Sequence, residues 1–235
     1  MKTPNTQLMK QAREALKGRW GLAVGTFFVY TVIQGATSTP EHILPDAFAL
    51  IVGAAALVWL IFVYGPLALG AATFSLAIAR NDKPKFSLLF AGFKQNYWKS
   101  IGLLLFMLVL VILGMILFVV PGIIVALMLA LSFFILRDNP GIDVIDALKK
   151  SRKMMVGYKW KLFGLVLIFI GLMLLVASPF TFAILAIFDI VVGIPFLLLP
   201  SILVLAIGWL FLYPFMQITF AKFYEDVKAN NTDMA

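Results

Sequence analysis

The sequence predicts an all-α, polytopic membrane protein of six transmembrane helices, and three observations carry that prediction. The chain of 235 residues is 63% hydrophobic and only 13% charged, with a mean hydropathy of +1.03. Several uncharged runs exceed the roughly 20 residues that a helix needs to cross a bilayer. Finally, when spans are assigned by alternation, all nineteen Lys and Arg residues fall on one side of the membrane. The six spans are read as three hairpins, each preceded by a cytoplasmic amphipathic interfacial helix. They form one integral membrane domain over residues 1–235. Its units are 5–79, 80–136 and 137–224, followed by a polar tail at 225–235.

Residues 5–18 open the first unit as an amphipathic helix. Leu8, Met9, Ala12, Ala15 and Leu16 recur at helical spacing, while Lys10, Arg13, Glu14 and Lys17 take other positions. An apolar stretch from Trp20 to Ile33 follows. It could pass for the h-region of a signal peptide, since basic residues precede it and Gly35-Ala36 follows. It is read as a span because the same unit of basic helix, Gly, Trp and apolar run recurs later. Gly21 and Gly25 make a GxxxG suited to close helix packing within the chain or between two copies. The loop Gln34 to Asp46 carries Glu41, His42 and Asp46 and no basic residue, so it is expected to face outward.

Ala47 to Ala79 is 33 residues without a charge, longer than one untilted span requires. Gly65-Pro66 divides it, as a kink that a membrane helix tolerates. The polar connection Arg80 to Lys85 and the linker FSLLFAGFKQNYWKS lead to Ile101–Leu136, 36 uncharged residues. Pro121-Gly122 lies at their centre and is expected to form the turn between two spans.

Arg137 to Lys161 is the most informative stretch, with seven of the nineteen basic residues. Val144, Ala147, Leu148, Met154, Met155 and Tyr158 share one side of a helical wheel; Lys149, Lys150 and Lys153 take the other, the pattern of a helix lying in a membrane interface. Asn139 and Pro140 are expected to start that helix as N-cap and first residue, with Asp143 and Asp146 near the positive end of its dipole. Leu162–Phe188 gives the fifth span and Ile190–Ala221 the sixth. Ser178 to Pro200 is compatible with a loop, a re-entrant segment or two helix ends.

Basic residues number five before the first span, five between the second and third, seven between the fourth and fifth, and two in the tail. The positive-inside rule therefore places both termini in the cytoplasm. The net charge of +8 is topological, and no nucleic-acid partner is inferred from it. Trp20, Trp98 and Trp160 mark the membrane entry of the three units. Two of these units also share a second-helix pattern, WLIFVYGP at 59–66 and WLFLYP at 209–214, with Thr73-Phe74 and Thr219-Phe220 downstream. The three units would all have the same orientation, unlike the inverted repeats of many transporters.

AREALKGRWG near the start, FSLLFAGF, VVPGII, SRKMMVGYKWKLF and a final YP followed by TFAKFYED together resemble a bacterial integral-membrane family, the domain of unknown function DUF975. The resemblance implies a multi-pass protein of the bacterial cytoplasmic membrane. It brings no activity, substrate or catalytic residue with it.

Chemistry is sparse. The chain has no Cys and one His, so disulfides, thiolate metal sites and histidine clusters are excluded. Glu41, His42 and Asp46 are the one close acid and base grouping on the outer side, too little for a nucleophile, carboxylate pair or metal mechanism. No catalytic residue, cofactor or metal is assigned, and the protein is read as non-enzymatic. Lys149, Lys150, Arg152, Lys153, Lys159 and Trp160 are the candidate contacts for anionic lipid headgroups or for a docking protein, either a partner or a second copy. The alternative is a transporter or channel for a small or amphipathic molecule along a polar path of Tyr64, Thr73, Tyr213, Gln217 and Thr219. No Asp, Glu, Lys, Arg or His falls at mid-membrane depth, which argues against a proton-driven pump.

Overall fold

The computed structural model describes residues 3–35, 46–189 and 195–232, and every regular element among them is helical. In chain order these are α1 (Asn5–Leu16), α2 (Trp20–Gly35), α3 (Asp46–Trp59), a π-helical turn (Leu60–Tyr64) and α4 (Gly65–Ala79). A 3-10 segment (Phe86–Phe90) and α5 (Ala91–Lys94) lead to α6 (Tyr97–Leu117), α7 (Val119–Leu129) and α8 (Ser132–Asp138). The chain ends with α9 (Val144–Met154), α10 (Lys159–Asp189) and α11 (Pro195–Thr232). Five stretches are long and apolar enough to cross a membrane: Ile51–Ala79, Tyr97–Leu117, Val119–Asp138, Lys159–Pro179 and Pro200–Asn231. This is a helical membrane protein. At 16 residues α2 is apolar but shorter than those five. Glu41 and His42 lie outside the described residues, as do residues 190–194 of the Pro-containing segment.

The core is built around α4. Every residue of α4 but Ala68 is buried, and the helix runs from the start of α6, where Gly65 meets the Ser100 carbonyl, to the end of α8, where Arg80 meets Asp138. Two glycines make this packing possible. The Leu89 carbonyl of the 3-10 segment occupies the place where a Cβ on Gly70 would stand, and the Pro66 carbonyl does the same for Gly92. Backbone therefore meets backbone, which only residues without a side chain allow. The apolar excess of the Ala47–Ala79 run is thus protein core, covered by α5, α6, α8 and α11.

One apolar cluster joins α4 to α6, α8, α9, α10 and the end of α11. A second joins it to α1, α2 and the 3-10 segment, with Phe27 edge-on to both Phe74 and Tyr213. Leu8, Ala12, Ala15 and Leu16 are the buried residues of α1. Each of its two leucines, fully buried, is worth roughly 1.5–3 kcal/mol relative to water. Residues 105–120 of the α6–α7 pair expose apolar side chains almost continuously, as a lipid-facing surface does.

A left-handed residue stands before each of the three entry tryptophans. Gly18 (φ +73°) precedes Trp20, Gly157 (φ +78°) precedes Trp160, and Asn96 (φ +57°) precedes Trp98. Asparagine is one of the few non-glycine residues that tolerates this conformation. The segment before Trp98 thus shares this backbone feature with the other two, although its turn residue differs.

Prolines are accommodated locally. The Ser178 hydroxyl donates to the Leu175 carbonyl at 2.8 Å, the group that Pro179 leaves without an N–H inside α10. The Tyr97 hydroxyl reaches the Phe62 carbonyl at 3.3 Å, four residues before Pro66.

Three expectations are corrected. The turn between α6 and α7 falls at Phe118, which is extended (φ −168°, ψ 157°), and Pro121 lies in the first turn of α7. A helix start has free N–H groups in any case, so proline costs nothing there. Gly122 is used for close approach to Gly114 of α6. Asn139 does not open the basic helix: its side chain donates back to the Ile135 carbonyl at the end of α8, and α9 starts only after Asp143. Gly21 and Gly25 have nothing within 4 Å of a Cβ position, so among the described residues the GxxxG packs against no other helix, and of its two expected uses the one within the chain is not found.

Candidate functional site

The six residues of the basic segment are presented by α9 and the start of α10. Burial of Ala147, Leu148, Ser151 and Met154 holds α9 in place, and the Ser151 hydroxyl donates to the Met128 carbonyl of α7 at 2.8 Å. Lys149, Lys150, Arg152 and Lys153 are exposed. Lys149 lies 3.5 Å from Asp146 one turn earlier, an exposed pair that contributes little. Among the described residues Lys150, Arg152, Lys153 and Lys159 have no acidic partner. Trp160 is 81% exposed and edge-on to Phe163.

Other charges of the same region are consumed internally. Asp138, only 8% exposed, accepts Arg80 at 2.7 Å, Lys228 at 2.5 Å and the Tyr224 hydroxyl at 3.0 Å. Arg80 also holds Glu225 at 2.6 Å. The hydrogen bond to Asp138 raises the Arg80 guanidinium further above its already high ordinary pKa, so the group stays charged. Lys161 and Asp226, both 11% exposed, pair at 2.6 Å, and Thr3 hydrogen-bonds the same Asp226. These two knots tie α4, α8, α10 and the N-terminal segment to the end of α11. Sequence alone singles out neither Arg80 nor Glu225, and it reads Asp138 only as a helix start or loop polarity. The available signal was that each stands at the charged end of a long apolar run.

The five residues of the polar path divide into two groups. Thr73 and Thr219 donate to carbonyls of their own helices, Leu69 at 2.8 Å and Phe215 at 2.7 Å, and are buried. Their hydroxyls are committed. Tyr64, Tyr213 and Gln217 do come together, around a residue that sequence reasoning missed. Tyr30 of α2 stacks on Tyr213 with ring centroids 5.8 Å apart, and its hydroxyl interacts with those of Tyr213 and Tyr64. Gln217 donates to the Tyr213 hydroxyl at 3.1 Å and Gln34 to the Tyr30 hydroxyl at 2.7 Å. Tyr64 ends the π-helical turn, a distortion frequent at functional sites. No group of three or more His, Cys, Asp or Glu side chains suited to a metal ion occurs among the described residues.

The sequence profile of a family described as a protein of unknown function (DUF975) matches residues 100–231. That range takes in Pro121-Gly122 and Ser151 to Phe163, and with them α9, Asp138, Glu225, Tyr213 and Gln217. Comparison with curated proteins and with solved structures finds no match. The matched range is more than half of the chain, and the chain belongs to the DUF975 family.

Proposed function

We propose that this protein is a non-enzymatic, six-span protein of the bacterial cytoplasmic membrane, with both termini inside, whose basic cytoplasmic surface binds anionic lipid headgroups. In this reading α2 is the first span, the spans form three hairpins, and α1, the 3-10 segment with α5, and α9 are the interfacial segments. The observation that carries it is the state of Lys150, Arg152 and Lys153: exposed and without an acidic partner among the described residues, on a helix whose other side is anchored in the core. Asp138, Glu225 and Asp226 are already engaged with Arg80, Lys161 and Lys228, and Asp146 with Lys149. A basic residue near an anionic leaflet contributes about 1 kcal/mol of attraction. Reversing Lys149, Lys150, Arg152 and Lys153 to Glu should therefore deplete phosphatidylglycerol from the lipid retained by the protein in nanodiscs, relative to phosphatidylethanolamine. An unchanged ratio would refute the reading, and a stoichiometric second protein lost on reversal would transfer the surface to protein docking.

A transport reading is kept because of one observation, the meeting of Tyr30, Tyr64 and Tyr213 at a π-helical turn. Under it, apolar replacements of Tyr64, Tyr213 and Gln217 abolish flux of a small amphipathic solute in proteoliposomes and leave lipid retention intact.

A further inference from the structure

An apolar groove of about 350 Å³ runs between α10 and α11, and its walls expose no polar surface. Val166, Ile170, Met173 and Ala177 line it from α10; Trp209 and Phe220 line it from α11. A groove of this chemistry on membrane-spanning helices takes hydrocarbon, and its length identifies the kind. Val166 and Ala177 are eleven residue steps apart, about 16 Å of helix, which is close to half of the roughly 30 Å hydrocarbon thickness. That is the depth of one leaflet and of a single acyl chain.

The same helix stripe indicates what stands above the chain. Positions 159, 163, 166, 170, 173 and 177 alternate steps of four and three residues and so share one face of α10. Continued toward the helix start, the groove is followed by Phe163 and then by Lys159. Seven residues above Val166, Lys159 lies about 10 Å higher along the axis, at headgroup depth for a chain that fills the groove. It has no acidic partner among the described residues, unlike neighbouring Lys161, which Asp226 neutralises. Trp160, largely exposed and in contact with Phe163, suits the same interfacial level.

We infer that the α10–α11 groove is a binding site for one acyl chain of an anionic glycerophospholipid, whose headgroup Lys159 holds. The site rests on the anionic-lipid reading above and narrows it from a diffuse charged surface to one lipid in one place. It differs from the bulk lipid shell in having a shaped apolar channel in register with an uncompensated cation.

The test uses the full chain reconstituted with phosphatidylglycerol or phosphatidylethanolamine carrying a photoreactive diazirine on the acyl chain, with the cross-linked peptides mapped by mass spectrometry. Phosphatidylglycerol should label residues 166–177 and 205–220 more densely than Ile116–Val119 at the lipid-exposed tip of the α6–α7 pair. Lys159→Gln should abolish the preference for phosphatidylglycerol over phosphatidylethanolamine in the groove, Lys159→Arg should keep it, and Ala177→Phe should lower groove labelling by both lipids. Labelling no denser than at the tip, or equal labelling of the groove by the two lipids in the unmodified chain, would overturn the inference. Reversal of the four α9 charges separates the two proposals. If groove labelling persists while overall phosphatidylglycerol retention is unchanged, the surface reading fails and the groove stands.

Discussion

Replacing Asp138 by Asn tests whether the charge knot at the end of α4 fastens the bundle. The carboxylate is 8% exposed and receives Arg80, Lys228 and Tyr224. An asparagine keeps the volume but removes the charge and sets an NH2 group among three donors. A hydrogen bond to a charged group is worth about 1.5–3 kcal/mol and a neutral one about 0.5–1.5. Two of the donors have other support: Arg80 retains Glu225, and Lys228 is 46% exposed and can turn to water. After that discount the loss is about 2–3 kcal/mol, less than the 3–5 kcal/mol typical of breaking a fully buried pair. For a chain of this size each kcal/mol lowers the melting temperature by about 2–4 °C, so the variant should melt roughly 4–12 °C below the parent. The assay is the monodisperse peak remaining on size exclusion after heating in mild detergent. Arg80→Gln supplies the second arm, because the two groups touch: the double variant should fall short of the summed losses by at least about 0.5 kcal/mol. A melting temperature for Asp138→Asn within about 1 °C of the parent, or full additivity with Arg80→Gln, would refute the argument that this knot holds α4, α8 and α11 together.

Two further perturbations follow from the packing. Gly70→Ala drives a methyl group into the Leu89 carbonyl, so overpacking should cost about 1–3 kcal/mol or more; Gly171→Ala, with nothing within 4 Å, should leave the melting temperature unchanged or slightly raised, and equal effects would show that the close approach at Gly70 is not limiting. Lys99 donates to the carbonyls of Pro140, Gly141 and Ile142 at 3.3, 3.2 and 3.0 Å, so Lys99→Met should speed amide hydrogen exchange in residues 139–143 between α8 and α9 while leaving α6 protected, and an unchanged exchange profile would show that these contacts do not order the loop.

Membrane class, the approximate places of the long apolar helices and the exposure of Lys149, Lys150 and Lys153 on one face of their helix were legible in the chain because they depend on run length and helical period, both local properties. Turn chemistry was legible only in part. Pro121-Gly122 reads as a turn by propensity, yet a proline in the first turn of a helix is equally unstrained, and the break settled at Phe118.

What only the tertiary structure decided is which apolar residues meet lipid and which meet protein. Both environments select the same side chains, so nothing in Ala47–Ala79 distinguishes the buried α4 from the more exposed α3. The distinction arises where Gly70 and Gly92 let backbone approach backbone. The charge knot was hidden for a related reason. Arg80, Asp138 and Glu225 are separated by 58 and 87 positions, each looks like an ordinary polar end of a span, and only helix packing brings them within hydrogen-bonding distance. The tyrosine cluster follows the same logic: Tyr64 and Tyr213 stand out by their shared pattern, but Tyr30 joins them from a helix that carries no trace of that pattern. Composition and period determine that a chain enters the membrane and where. Pairing between distant helices, set by small residues and buried charge, determines the surface that is left over for a ligand.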